Sequence, residues 1–286
     1  MSLSLINDRP LIWGHRGVRS LKAENTLGAI RKAHEVGADG VEIDVQLTKD
    51  GTVILLHDLN LLRTTNARVH PHFVSNPPSV PWNFTLDEIK QLNAHVYSRR
   101  WSCSPTIEES FGQIPESVDG DNQIPTLSEA LQLCSELGLV VNVEIKNISH
   151  CASNPFAKAI VPKVLGIIAA ENMDDRVLIS SFHHEYIKEC KGYSPHVPTA
   201  ALTPHTYATN EEDAMMVVEM LGKLKADAWH PGHKYLKETA VKAVREAGFA
   251  INPYTVNDLS VGEILRGWGA TGIVTDYPQD LKRLND

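Results

Sequence analysis

The chain has no basic start followed by an apolar run of about seven or more residues, so no secretory leader is expected. None of its apolar runs approaches the roughly 20 residues that cross a bilayer, and stable membrane insertion is not expected either. The four cysteines, Cys103, Cys134, Cys151 and Cys190, show neither CxxC nor Cys/His ligand spacing. A reduced, cytoplasmic protein with incidental buried thiols is the expectation. No GxGxxG opens a helix, which removes support for dinucleotide binding. An excess of basic residues is also missing. The net charge of -8 argues against a nucleic-acid partner. It does not oppose a small anionic substrate, which feels the local field of a pocket. There is no low-complexity tract and no repeat beyond a β/α period.

What is present is the ordinary composition of a globular protein, 42% hydrophobic and 22% charged. Short apolar runs predict strands over Leu11–Gly14, Gly40–Gln46, Val53–His57, Val140–Ile145, Val177–Phe182, Thr199–Leu202, Ala226–His230, Ala250–Thr255 and Gly272–Thr275. Helical patterns fall between them, over Thr26–Val36, Leu127–Leu137, Pro155–Ala170, His184–Cys190, Glu211–Leu224, Lys237–Ala247 and Val261–Trp268. Alternating β and α units imply parallel strands with helices outside. If Val53–His57 hairpins back from the second unit, eight units remain, the number of a TIM (β/α)8 barrel. The expectation is a single barrel domain over residues 1–286, with an insertion after the second unit at about residues 60–125. That stretch holds Pro71, Pro77-Pro78, Pro81, Pro105, Pro115 and Pro125 with Trp82 and Trp101. It is read either as a cap over the site or as a passive surface excursion.

Active sites of such barrels lie at the C-terminal ends of the strands. His15 falls just past the first strand, Glu42 and Asp44 late in the second, His57 at the end of its run, and Glu144 and Lys146 at the end of Val140–Ile145. Acids spaced by two on a strand share one face. Two carboxylates about 5 Å apart repel by roughly 3 kcal/mol at an effective dielectric near 20. Glu42, Asp44 and Glu144 should therefore take up protons or hold a cation, unless one of them pairs with Arg16 or Lys146. An all-oxygen set favours one divalent cation, Mg²⁺ or Ca²⁺. Surrounded by His15, His57, Arg16 and Lys146, such an ion suits a phosphodiester, the imidazoles acting as general acid and base.

The ordered motifs resemble the glycerophosphodiester phosphodiesterase family. They are His15-Arg16-Gly17, Glu24-Asn25-Thr26, Gly40 through Gly51, His57-Asp58, Arg63-Thr64-Thr65, Ile124 through Leu127, Glu144-Ile145-Lys146, Thr255-Val256-Asn257 and Thr275 through Pro278. The resemblance implies a TIM barrel that hydrolyses glycerophosphodiesters to sn-glycerol 3-phosphate and an alcohol. It implies a divalent metal on Glu42, Asp44 and Glu144, His15 and His57 as acid/base pair, and phosphate contacts from Arg16 and Lys146. Tyr254 stands where family members often carry Trp, beside Pro253, so substrate preference is open there. Trp82, Phe84, Tyr97 and Trp101 either wall the site, where ring faces attract quaternary ammonium, or form the insertion's own small core. His183-His184 and the pair His230 and His233 follow strands on the same side, with substrate contact or plain loop roles as alternatives. Asp276 and Asn257 are read as orienting neighbouring groups.

Three other readings compete. A phospholipase D-like or lysophospholipid-cleaving barrel differs in preferring long acyl chains, but no membrane-docking stretch is evident. Glycosidases also use paired acids, yet their substrates give His15, His57, Arg16 and Lys146 no anion to neutralise. A non-catalytic binding protein would not need both imidazoles. Sequence leaves open which histidine is the acid, and whether water or a substrate hydroxyl attacks first.

Overall fold

The computed structural model describes residues 3–94, 120–148, 157–204 and 211–286. Nine strands are present among them: β1 (Leu11–His15), β2 (Gly40–Leu47), β3 (Val53–Leu55), β4 (Val140–Ile145), β5 (Val177–Ser181), β6 (Thr199–Thr203), β7 (Ala228–Pro231), β8 (Ala250–Ile251) and β9 (Gly272–Thr275). Eight are parallel, in the order β8-β7-β6-β5-β4-β2-β1-β9. Hydrogen bonds from Thr271 N to Ile251 O and from Val274 N to Pro253 O join the two ends. The result is the expected TIM barrel. β3 is the exception, pairing antiparallel with β2 through a tight turn at Thr48–Thr52, as the eight-unit count requires.

The strands read as continuous apolar runs because both faces are covered. β2 is buried at all eight positions. Val41, Ile43, Val45 and Leu47 point into the layer under the helices, packed with Val141, Val143 and Ile145 of β4. The alternate positions, Glu42, Asp44 and Gln46, therefore face the barrel interior. Ladder register then sets the rows of that interior: His15 opposite Glu42 opposite Asn142, and Asp44 opposite Glu144 opposite Ser180. At the opposite end the interior turns apolar, with Leu178, Ala200, Ala228 and Ala250 packed against Leu3 and Leu5. The barrel is thus plugged at one end and polar at the other.

Helix boundaries follow local chemistry. Thr126 caps Leu127–Leu137 in a reciprocal capping box with Glu129, and Gly138 ends it at φ 70°. Asp258 accepts from Ser260 N and Val261 N at the start of Leu259–Trp268.

Residues 60–94 of the expected insertion fold as short turns of helix around a small cluster that includes Leu61, Phe73, Phe84 and Ile89 together with Ile54 of β3. Phe73 and Phe84 lie 4.4 Å apart between ring centres. Trp82 packs into the main barrel cluster. Neither Trp82 nor Phe84 walls the site. Phe84 belongs to the insertion's own core, whereas Trp82 fits neither alternative; Tyr97 and Trp101 lie outside the described residues. No helix among the described residues is long and apolar enough to cross a membrane.

Candidate active site

The turn after β1 is the most constrained stretch of backbone around the site. Arg16 adopts φ 53° and Gly17 φ 81°, and Asn25 adopts φ 56°. A non-glycine residue in the left-handed region is a strained choice that neighbouring contacts must hold in place. Here Arg16 N donates to Glu42 Oε2 at 2.9 Å and Asn25 N donates to Arg16 O at 3.0 Å. A Cβ on Gly17 would stand 2.6 Å from Ala29 Cβ and 2.8 Å from Ala29 C. Gly17→Ala is therefore expected to cost about 2–4 kcal/mol through clash and backbone strain. A melting-temperature drop of roughly 5–15 °C should follow, and a drop below 2 °C would refute the argument.

Within this frame the three carboxylates converge. One oxygen from each of Glu42, Asp44 and Glu144 lies within 4.8 Å of the others, and all three residues are buried. Burial and the charges of Asp44 and Glu144 push the Glu42 carboxyl well above its usual range. Burial also raises Glu144, helped by Asp44 and opposed by Lys146. Asp44 goes the other way: burial would raise it, but Lys146, His57, Arg16 and the Asn25 hydrogen bond hold it far below. Asn25 Nδ2 donates to Asp44 Oδ2 at 2.8 Å, whereas Asp44 Oδ1 is buried and accepts no hydrogen bond. A carboxylate oxygen with Lys146 Nζ at 3.3 Å and no hydrogen bond, beside two carboxyls that resist ionisation, fits a hard cation with oxygen ligands. The trio could hold a metal.

Sequence placed Arg16 and Lys146 against phosphate. Their side chains here lie first against acids. Arg16 Nη1 donates to Glu24 Oε1 at 2.6 Å, with its Nε 3.5 Å from Asp44. Lys146 Nζ donates to Glu144 and sits 3.3 Å from Asp44 Oδ1. Both nevertheless line the same cavity of about 180 Å³, so each pairs with a carboxylate and borders open space at once.

His15 and His57 line that cavity too, and each has its Nδ1 on a carboxylate. His15 Nδ1 is 2.7 Å from Asp276 Oδ1, and Asn257 Nδ2 donates to Asp276 Oδ2 at 2.8 Å. His57 Nδ1 is 2.7 Å from Asp58 Oδ1. In both rings a carboxylate acceptor favours the proton on Nδ1; His15 Nε2 then accepts from Arg16 Nε at 3.3 Å. Burial and the Arg16 charge push the His15 imidazole down to about 4, despite the opposing hydrogen bond to Asp276.

One clamp went unassigned in the sequence, although its residues lay in quoted motifs. Arg63 is bidentate twice over: Nε and Nη2 donate to Asp58 at 2.6 and 2.8 Å, and Nη1 and Nη2 to Glu24 at 3.0 and 2.6 Å. A chain of contacts therefore runs from His57 through Asp58, Arg63 and Glu24 to Arg16. The remaining histidines separate. His230 lines the cavity. His184 Nε2 bonds Leu202 O and His183 stacks edge-on with Tyr186, while His233 N donates to Tyr254 O. Tyr254 lines the cavity beside Phe182, with its hydroxyl turned to Thr203 O.

Fold and site together define an α/β-barrel protein with an acidic, cation-compatible centre and two carboxylate-oriented imidazoles at one mouth. Residues 15–280 match the glycerophosphoryl diester phosphodiesterase family, and the chain belongs to it. It is 33% identical over 276 residues to a glycerophosphodiester phosphodiesterase of Caldanaerobacter subterraneus subsp. tengcongensis, covering 96% of this chain and 98% of that protein. A glycerophosphodiester phosphodiesterase of Bacillus altitudinis is 30% identical over 279 residues, with 96% and 98% covered. Among solved structures, an Oleispira antarctica phosphodiesterase in complex with the product sn-glycerol-3-phosphate superposes with a TM-score of 0.77. That pair shares 24% identity over 97% of each chain.

Proposed function

We propose that this chain hydrolyses glycerophosphodiesters to sn-glycerol 3-phosphate and an alcohol, using a divalent cation, Mg²⁺ or Ca²⁺, at Glu42, Asp44 and Glu144. The observation that carries this reading is the pair of imidazoles, each with Nδ1 on a carboxylate, opening onto one cavity beside the acid trio. Family membership and the activity named for the relatives from C. subterraneus and B. altitudinis support it.

When bound, the cation supplies Lewis-acid polarisation of a phosphoryl oxygen and activation of a hydroxyl or water. The protein's own groups do the rest. Arg16 and Lys146 offset charge on the equatorial oxygens as the phosphorus becomes five-coordinate. One imidazole Nε2 accepts the proton of the attacking oxygen, and the other protonates the leaving alkoxide as its bond to phosphorus breaks. Asp276 and Asp58 keep each ring in the tautomer that allows this and stabilise the imidazolium that forms.

Purified protein supplied with Mg²⁺, Ca²⁺ or Mn²⁺ should release sn-glycerol 3-phosphate from a panel of glycerophospho-alcohols, and a chelator should stop it. Absence of release with every metal and every substrate would sink the proposal. Cation binding is read independently by melting temperature. At a cation concentration about a hundredfold above Kd, stability should rise by about 2.7 kcal/mol and the melting point by roughly 5–10 °C. Glu42→Gln should erase that rise, because it removes one ligand charge from the trio.

A further inference from the structure

The two imidazoles are held in different ways. His15 ends β1 and pairs in ladder register with Glu42, so the sheet itself places its ring. His57 lies two residues beyond the end of β3, in a bend at the rim. Its side chain is 32% exposed, against 14% for His15. A ring with so little packed around it takes its position from its own backbone, so residues 56–58 must be held by other means.

Gln46 holds them. Its side-chain nitrogen donates to Leu56 O at 2.9 Å and to Asp58 O at 2.6 Å, the carbonyls on either side of His57. Two carbonyl acceptors can be met only by the amide nitrogen, and both of its hydrogens are used. The residue is fully buried, and its Oε1 has no hydrogen-bond partner. An unmatched buried oxygen is costly, so a residue kept only to fill this space would be better as Met. What Gln46 has and Met lacks is the pair of donors. The strand adds a further hold on the same segment, since Leu56 N donates to Asp44 O at 3.0 Å.

We propose that Gln46 is a positioning residue for the reaction, clamping the carbonyls of Leu56 and Asp58 so that the His57 ring stands at its working distance from the acid trio. This deepens the hydrolase reading and rests on it for the acid/base role of His57. Glu42, Asp44 and Gln46 occupy alternate, inward-facing positions of β2. One strand therefore carries two carboxylates of the trio and the clamp on the imidazole, and the spacing between the two is built into a single element. Arg63 fixes the Asp58 carboxylate, while Gln46 fixes the backbone from which that carboxylate and the imidazole both project. A misplacement of about 1 Å at a reacting group can cost roughly a hundredfold in rate, so removal of the clamp should be read in kcat.

The test is a double-mutant cycle on glycerophosphoethanolamine with Mg²⁺ or Ca²⁺, comparing wild type, Gln46→Met, His57→Ala and the double variant. Gln46→Met should lower kcat by roughly ten- to hundredfold with KM within about twofold. In the His57→Ala background the same change should cost less than about twofold, because a residue that acts through His57 has nothing left to position. The cation-induced rise in melting temperature should persist in Gln46→Met, which verifies that the variant is folded and its acid trio intact. If Gln46→Met does not fold, Gln46→Asn, which draws the amide back by one methylene, carries the same comparison with the same expected pattern. An equal fractional loss of kcat in both backgrounds would make Gln46 a general structural support and overturn the proposal. A kcat within twofold of wild type in the folded single variant would overturn it too, as would loss of the cation response, which would assign Gln46 to the acid trio. Failure of the hydrolase reading is distinguishable, since His57→Ala would then turn over like wild type or wild type would release no sn-glycerol 3-phosphate.

Discussion

Replacing His57 with alanine is expected to lower kcat by about a hundred- to ten-thousandfold, the usual loss when a general acid or base is removed. His15→Ala should fall in the same range. Neither change touches an oxygen of the acid trio, so the cation-induced rise in melting temperature should survive in both. The distinguishing variants are Asp58→Asn and Asp276→Asn. Each keeps the shape of the support but replaces an acceptor-only carboxylate with a group that can also donate to Nδ1. The imidazole then adopts the wrong tautomer in part of the population, and kcat should fall with KM little changed. Asp276→Asn has the added consequence that His15 loses the hydrogen bond that favours its charged form. A His57→Ala variant within threefold of wild-type kcat would exclude an acid/base role for that ring.

The barrel was legible because its strands are buried on both faces and appear as unbroken apolar runs between capped helices. Strand ends were less so. Val53–His57 is a strand only to Leu55, with one further bond from Leu56 N to Asp44 O before the chain turns away at His57. Ala250–Thr255 is a continuous strand only to Ile251; beyond it Tyr254 N still bonds Pro231 O and Pro253 O accepts from Val274 N, so pairing persists as separate contacts. Convergence of Glu42, Asp44 and Glu144 could be read from strand alternation and the order of the units. Partner choice among charges could not. Arg16 sits beside Glu24 because its own φ is left-handed, a property no spacing rule exposes. Arg63 meets Asp58 and Glu24, 5 and 39 residues away, through a fold of the insertion that has no periodic signature. Gln46 escapes notice because a polar residue inside an apolar run looks the same whether its atoms are matched or left open.

Arg63→Met should be the most destabilising single charge removal in the site, by about 2–4 kcal/mol. Breaking a buried ion pair by deleting one partner costs about 3–5 kcal/mol, and the partial exposure of Arg63 and Asp58 lowers that figure. The pH dependence follows from Glu24. Burial alone would raise its carboxyl, but hydrogen bonds from Arg63 and the charges of Arg16, Arg63 and Arg19 bring it down to about 2. Asp58 is likewise held low, against its burial, by His57 and Arg63. For depressed carboxyls the stabilisation is fully present above the unfolded-state values near 4 and disappears as pH falls through the folded ones. Wild type should therefore lose stability between about pH 5 and 2, whereas Arg63→Met, already without that contribution, should lose less over the same interval. Denaturant midpoints at pH 7, 5 and 3 would read this directly, with the two proteins converging at the acid end. A constant gap between them at every pH would mean that Arg63 acts through packing alone. In that case the line of contacts from His57 to Arg16 would be a structural strut held by the Arg63 stem, and its charge would contribute nothing to stability.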